Sequence, residues 1–326
     1  MSETDAPLLA VEGLTTHYVS ARGTRVTRAV EDVSFTLRDG DTLGIVGESG
    51  SGKSTLALSL LRLLPPAARI VAGAVRFEGE DLLNKPESEM RRIRGKRIAM
   101  ILQDPMASLN PLFTVGDQVG EPLRVHEGAT RRGAWNRARE LLGAVRISAP
   151  ATRVRNYPHE LSGGMRQRIV GAIAISCGPR VLIADEPTTS LDVTIQAQYL
   201  SLLRELQRAQ GLAMIFITHN LGIVARMCDA VAVMYAGRIV EAGPVRRIFG
   251  APQHPYTRAL IESIPRLGEA NGRLTAIEGQ PPDPAALPTG CAFHPRCPQR
   301  LERCATEVPH DTAIATDHRT ACWLHP

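Results

Sequence analysis

The stretch GESGSGKS, residues 47–54, constrains this chain more than any other part of it. It fits the phosphate-loop pattern G-x-x-x-x-G-K-[ST], which works only between a buried strand and a helix. Both flanks are present. Upstream, LGIVG (43–47) is a continuous apolar run ending in glycine, the pattern of a buried strand feeding a loop. Downstream, KSTLALSLLRLL (53–64) has helical spacing and stops at Pro65 and Pro66. Gly50 and Gly52 lack Cβ atoms, so the backbone can turn its N–H groups inward on an anion. The following helix presents its positive end to the same anion. Gly47, Glu48, Ser49, Gly50, Ser51, Gly52, Lys53, Ser54 and Thr55 are therefore the candidate nucleotide-binding residues. Lys53 is expected to face the β- and γ-phosphates, and Ser54 to ligate Mg²⁺.

A second acidic element narrows the chemistry. VLIADEP (181–187) carries Asp185 at the end of an apolar strand, placed to complete a Mg²⁺ shell. Glu186 follows it as a carboxylate suited to polarising water. Strand-like runs at VLIAD, AMIFIT (213–218) and AVAVMY (230–235) alternate with helical segments such as TIQAQYLSLLRELQRAQ (194–210). That alternation predicts an α/β core with a mainly parallel sheet. Short β-rich runs open the chain, including VSFTL (33–37), whose alternation suits a half-buried strand. Residues 104–178 read as mostly helical, with RRGAWNRARELLGAV (131–145) as the clearest helix. Beyond about residue 250 the periodicity fades and prolines become frequent, so the chain is divided into 1–250 and 251–326.

Charge and hydropathy exclude several classes. No apolar run approaches the roughly 18 residues of a membrane helix. MSETDAPLLA has neither the basic region nor the apolar stretch of a secretory signal, so a cytoplasmic chain is expected unless a partner holds it elsewhere. The net charge of +5 is carried almost entirely by arginine. Its one dense basic run, RRIRGKR (91–97), reads as a solvated turn before the strand IAMIL (98–102). With no polybasic tail and no aromatic stripe, nucleic acid is not an expected partner.

LSGGMRQR (161–168) resembles the signature sequence of ABC-transporter nucleotide-binding domains. The resemblance implies a P-loop, RecA-like ATPase core with antiparallel β and helical subdomains, the helical one at about 104–178. It also implies that Ser162, Gly163 and Gly164 contact the γ-phosphate of ATP held by an opposing subunit, in a head-to-tail pair. The residues agree, since Ser162 is a natural N-cap and the glycines allow an anion close to a helix end. The other family motifs follow in order. Gln103 in ILQDP resembles the Q-loop glutamine, SLD (190–192) the D-loop, and His219 in FITHN the switch histidine. The resemblance thus makes Glu186, His219 and Gln103 the catalytic set, with Mg²⁺ held by Ser54, Gln103 and Asp185. Tyr18 resembles the aromatic that stacks on adenine, with His17 beside it as the alternative. ABC-type ATPases of DNA or ribosomes fit less well. Residues 55–160 show no sustained heptads for a coiled coil, and the chain has one ATPase core.

The tail is more specific. MYAGRIVEAGP (234–244), HPYTRALIESIPR (254–266), GQPPDP (279–284) and GCAFHPRC (290–297) resemble the ATPase subunits of dipeptide and oligopeptide importers. Nickel, glutathione and other small-solute importers share that subfamily. The implied partners are a second ATPase subunit (a paralogue or a second copy), two transmembrane permease subunits and an extracytoplasmic peptide-binding protein. The implied place is the cytoplasmic face of the membrane.

Four cysteines are spaced Cys291-x₅-Cys297-x₆-Cys304-x₁₇-Cys322. The spacing is neither that of a zinc ribbon nor of a bacterial ferredoxin run. Disulfides are disfavoured in a reducing compartment. Four buried thiols are one reading. The family resemblance implies a [4Fe–4S] cluster on all four, with Zn²⁺ as the alternative. Cys177 and Cys228 lie in apolar segments and read as small buried hydrophobes.

Overall fold

A computed structural model describes residues 6–20, 23–104, 108–189, 191–264 and 277–325. Its strands in chain order are β1 (Leu9–Val19), β2 (Val26–Leu37), β3 (Thr42–Val46), β4 (Ala68–Phe77), β5 (Glu80–Asp81) and β6 (Ile98–Ile101). They continue with β7 (Val181–Asp185), β8 (Ala213–Ile217), β9 (Ala230–Tyr235), β10 (Arg238–Pro244), β11 (Thr312–Ala315) and β12 (His318–Thr320). The chain forms two compact units. One comprises Met1–Arg38, Thr42–Asn84 and Phe216–Pro326, the other Asp39–Asp41 and Lys85–Ile215. Among the described residues, no helix is long and apolar enough to cross a membrane.

The first unit holds an antiparallel sheet in the order β2-β1-β4-β5. VSFTL behaves as its alternation predicts, with Val33, Phe35 and Leu37 buried and Thr36 exposed. A second sheet segment in this unit runs β11-β12-β10-β9-β3. Here β3 and β9 pair in parallel, and all five residues of β3 are buried, as expected of a strand covered on both faces. The tail returns to this sheet. β12 pairs antiparallel with β10, Glu241 opposite Thr320, and the His318 ring donates to the buried Glu241 carboxylate at 2.8 Å. Glu241 also accepts from the backbone N–H of Gln253 and His254, so its desolvation is offset by three donors.

One apolar cluster joins Val46, at the end of β3, to Val231, Val233 and Tyr235 of β9 and to Tyr256 and Phe293 of the tail. Phe293 meets Tyr235 edge-on, with ring centroids 5.2 Å apart, and Tyr256 at 5.4 Å. Cys291, Cys297, Ile277 and Leu287 pack against the same cluster. A proline-rich segment poor in apolar residues is thereby ordered on a core built largely by the strands.

Buried His254 caps the helix Pro255–Glu262, its Nδ1 accepting from the Tyr256 N–H at 3.0 Å. Burial pushes its pKa down to about 3, and the nearby His325 acts in the same direction. An unfolded histidine takes up its proton near pH 6.5, so below that pH the unfolded chain binds the extra proton and stability falls. Above pH 6.5 this contribution is fully present. At pH 5 about 2 kcal/mol of it is lost. His254→Asn keeps an acceptor at the cap and does not titrate. The fall in urea-unfolding free energy from pH 8 to pH 5 should therefore be about 2 kcal/mol smaller in the variant. An identical pH dependence in both proteins would remove His254 from the balance.

The second unit contains the parallel pair β6–β7 and most of the helical region. The helices Val115–Glu127 and Arg131–Ala144 start at threonine caps, Thr114 accepting from Asp117 N–H and Thr130 from Gly133 N–H. The helix Val193–Gln210 starts at Asp192, whose carboxylate accepts from Thr194 and Ile195 N–H, and ends at Gly211 in the left-handed region. The predicted helix over 131–145 is present and stops at Ala144.

Candidate functional site

In the first unit, β3 runs into residues 47–52 and the helix Lys53–Leu60 begins at Gly52. Close packing makes two glycines obligatory. A Cβ on Gly47 would lie 2.1 Å from the Met234 carbonyl oxygen, and one on Gly52 (φ +102°) would lie 2.0 Å from that of Ala29. Lys53 is buried, and its Nζ donates to the carbonyls of Gly47 at 2.8 Å and Glu48 at 2.9 Å. The ammonium is thus held over the loop by neutral acceptors. A phosphate oxygen in their place would form the stronger, charge-assisted bond.

The Tyr18 hydroxyl lies 3.3 Å from Thr55 Oγ1, which sets the ring beside the helix that follows the loop. His17 is engaged elsewhere, its ring pairing with the Glu31 carboxylate. Neighbouring residues on a strand point to opposite faces, which separates the two candidates. His219 is exposed, two residues beyond the end of β8.

In the second unit, Asp185 is buried as the last residue of β7. Glu186 follows with φ +45°, in the left-handed region that a non-glycine residue rarely occupies. Its carboxylate accepts from Thr189 Oγ1 at 2.9 Å and from Gln103 Nε2 at 3.4 Å. Two of the sequence-derived catalytic residues therefore meet, and Thr189 joins them. Backbone strain at a carboxylate beside a buried aspartate is a feature of functional sites, where the surrounding structure over-determines one conformation.

Ser162 caps the helix Gly163–Ile175, its side chain accepting from Met165 N–H at 3.4 Å. A Cβ on Gly163 would meet open space, whereas one on Gly164 would lie 2.8 Å from Ile195 Cγ2. The first glycine leaves the helix end open, and the second permits packing inside the unit. Ser190 of SLD lies outside the described residues, while Leu191 and Asp192 lead into the helix Val193–Gln210.

Sequence reasoning missed the tail residues that touch the loop. Arg296, inside FHPRC, forks onto the Glu48 carboxylate at 2.7 and 3.1 Å, and the Tyr256 hydroxyl accepts from Glu48 N–H at 2.9 Å. An arginine between two cysteines was the available signal, but its partner lies 248 positions away.

None of the six cysteines is in a disulfide. Cys228 packs on the core of the first unit. Burial raises the Cys177 thiol above its ordinary value. The tail cysteines form one electrostatic group. Burial first, and then Cys304, Cys322 and Cys297, push the Cys291 thiol up to about 11. Burial also raises Cys297, with Cys304 adding to it, and Cys322, with Cys297 and Cys304 adding to it. Every pair among the four therefore interacts. The Cys291 N–H donates to the Cys304 carbonyl at 2.8 Å, and the Leu301 N–H to Cys304 Sγ at 3.4 Å. Among the described residues, no group of three or more His, Cys, Asp or Glu side chains that could hold a metal is found, so their placement lends the [4Fe–4S] or Zn²⁺ expectation no support.

Residues 30–189 match the family model described as ABC transporter, and residues 240–304 the one described as oligopeptide/dipeptide transporter, C-terminal region. The dipeptide transport ATP-binding protein DppD of Bacillus subtilis is 48% identical over 97% of this chain and 94% of its own length. The oligopeptide transport ATP-binding protein OppD of Salmonella typhimurium is 48% identical over 90% of this chain and 88% of its own. Among solved structures, an ATP-binding cassette determined as a dimer in a post-hydrolysis state with ADP and Pi superposes with a TM-score of 0.65. That match has 25% identity and covers 73% of this chain and 99% of the other.

Proposed function

Because this chain belongs to the ABC transporter ATPase family, we propose that it is the ATP-hydrolysing subunit that powers import of dipeptides or oligopeptides through a membrane ABC transporter. The observation that carries the reading is that likeness to peptide-transport ATP-binding proteins runs through both the phosphate-loop half and the cysteine tail.

In this reading the amides of residues 47–55 and Lys53 bind the triphosphate, with Tyr18 against adenine. Ser54, Gln103 and Asp185 would hold Mg²⁺, which would neutralise phosphate charge there. Glu186 polarises the attacking water, with Gln103 and Thr189 orienting its carboxylate. His219 contacts the γ-phosphate. Ser162, Gly163 and Gly164 approach the ATP of an opposing subunit. ATP thus closes a head-to-tail pair, hydrolysis reopens it, and two permease subunits convert that cycle into import. The chain then sits peripherally on the cytoplasmic face of the membrane, with an extracytoplasmic binding protein choosing the cargo. Residues 1–250, with a helical region at about 104–178, form the motor, and 251–326 form its extension.

Cys291, Cys297, Cys304 and Cys322 are assigned to a [4Fe–4S] cluster that staples the extension without taking part in ATP chemistry. Iron and acid-labile sulfide in stoichiometric amounts in anaerobically purified protein support that assignment, whereas stoichiometric zinc replaces it.

The functional test is purification with the neighbouring membrane subunits, reconstitution in vesicles and ATPase assay. Di- or oligopeptide with its binding protein should raise turnover several-fold. Stimulation by nickel or glutathione alone would move the cargo to another solute. Copurification with ribosomes or DNA and no membrane subunit would overturn the reading.

A further inference from the structure

An acid inside a phosphate loop needs explaining, because the loop must accept a ligand carrying several negative charges. Glu48 is that acid. Its carboxylate is taken up by both guanidinium nitrogens of Arg296, at 2.7 and 3.1 Å, in the bidentate geometry that lysine cannot reproduce. The Arg296 side chain is only 5% exposed. Its remaining donors are fixed as well. Nε donates to the Glu278 carbonyl at 2.9 Å, and the terminal nitrogens also donate to the Ile277 carbonyl and the Tyr235 hydroxyl, both at 3.3 Å. Gly279 (φ +78°) passes close to the arginine stem, since a Cβ there would lie 3.3 Å from Arg296 Cγ.

The loop backbone is gripped from the same side. The Glu48 N–H donates to Tyr256, whose ring packs with Tyr235 and Phe293. One tail surface therefore holds both the side chain and the amide of a single loop residue. Two consequences follow for the phosphate site. The Glu48 charge is cancelled before nucleotide arrives, and the loop is ordered before nucleotide arrives, so neither cost falls on binding.

We propose that Arg296 is a positioning residue for the phosphate loop, through which the C-terminal extension sets the affinity for ATP. The proposal rests on residues 47–54 binding the triphosphate.

It is tested by calorimetric titration of Mg-ATP into the full-length chain and its variants. Arg296→Gln exposes the nucleotide to an uncompensated Glu48 charge and should raise the Kd about tenfold. Adding Glu48→Gln to that variant removes the charge and should bring the Kd back to within about threefold of the native value. General damage to the tail would not be repaired by a second substitution in the loop. A native Kd in Arg296→Gln, or a double variant as weak as the single one, overturns the proposal. If the native chain binds no Mg-ATP, the phosphate-loop reading itself fails, which is a separate result. If Arg296→Gln does not accumulate as folded protein, Arg296→Lys carries the test by amide hydrogen exchange. It keeps the charge and loses the fork, so in nucleotide-free protein exchange across residues 47–53 should quicken about tenfold. Unchanged exchange in that variant overturns the proposal.

Discussion

Glu186→Gln should lower ATP turnover by about 10²–10⁴-fold, the range that a positioned general base contributes. That loss corresponds to about 3–5 kcal/mol of transition-state stabilisation. The amide is nearly isosteric with the carboxylate, and its remaining oxygen can still accept from the Thr189 hydroxyl. The backbone at residue 186, with φ +45°, has no reason to relax, because the strain is held by the strand before it and the turn after it. Binding of Mg-ATP should therefore survive within a few-fold. Nucleotide that is bound but not cleaved should accumulate the ATP-closed pair, detectable as an ATP-dependent rise in mass by light scattering. Single-turnover assays separate the chemical step from product release. Turnover at the native rate in this variant would take Glu186 out of the mechanism and leave His219 as the candidate base.

The core elements of this site were legible because local pattern alone determines them. A strand buried on both faces must be a continuous apolar run, and both LGIVG and VLIAD are such runs, fully buried as β3 and β7. The loop glycines were equally legible, since a backbone that approaches the Met234 and Ala29 carbonyls this closely excludes any Cβ. One boundary was less so. The helical spacing of KSTLALSLLRLL continues to residue 64, yet the helix closes at Leu60 and Arg62 takes φ +53°. The chain turns there to enter β4, and no side chain before the prolines announces that turn.

The tail was legible as composition but not as structure. Strands of three and four residues are too short for periodicity to reveal them, and β12 exists because β10 offers an edge and Glu241 offers a buried acceptor to His318. The cysteines were visible by spacing, whereas their shared electrostatics emerge only once the backbone brings Cys291 to Cys304. The arginine between the first two cysteines carried no periodic or motif signal of its own. Its meaning depends on an acid at the opposite end of the sequence. Long-range ion pairs of this kind belong to the topology, and a local reading of either end sees only a charged surface residue.

The phosphate loop also offers the sharpest test of the fold-to-site argument, at Gly52. This residue sits at the N-terminal cap of the helix Lys53–Leu60 with φ +102° and ψ near 0°, where an alanine is strained by about 1–3 kcal/mol even with room to spare. There is no room. The new Cβ would lie 2.0 Å from the Ala29 carbonyl oxygen of β2 and 3.0 Å from Met234 Cε. The methionine tip can swing away, whereas the carbonyl is β2 backbone held between Arg28 and Val30, which both pair with β1. Gly52→Ala must therefore displace the loop, and with it the Lys53 ammonium that reaches back over Gly47 and Glu48. Because the loss falls on the amides and the lysine together, Mg-ATP affinity should drop by about 100-fold or more, several charge-assisted bonds being lost at once. The thermal midpoint should fall by only a few degrees, because the strained segment is one turn of a large chain. Gly50→Ala is the internal control. Gly50 has φ +80° but open space where its Cβ would go, so the variant carries the backbone strain without the collision. If the two variants lose ATP affinity equally, backbone conformation rather than close packing governs the loop. A markedly larger loss at Gly52 assigns the excess to the Ala29 carbonyl, and so to the wall that β2 builds behind the phosphate site.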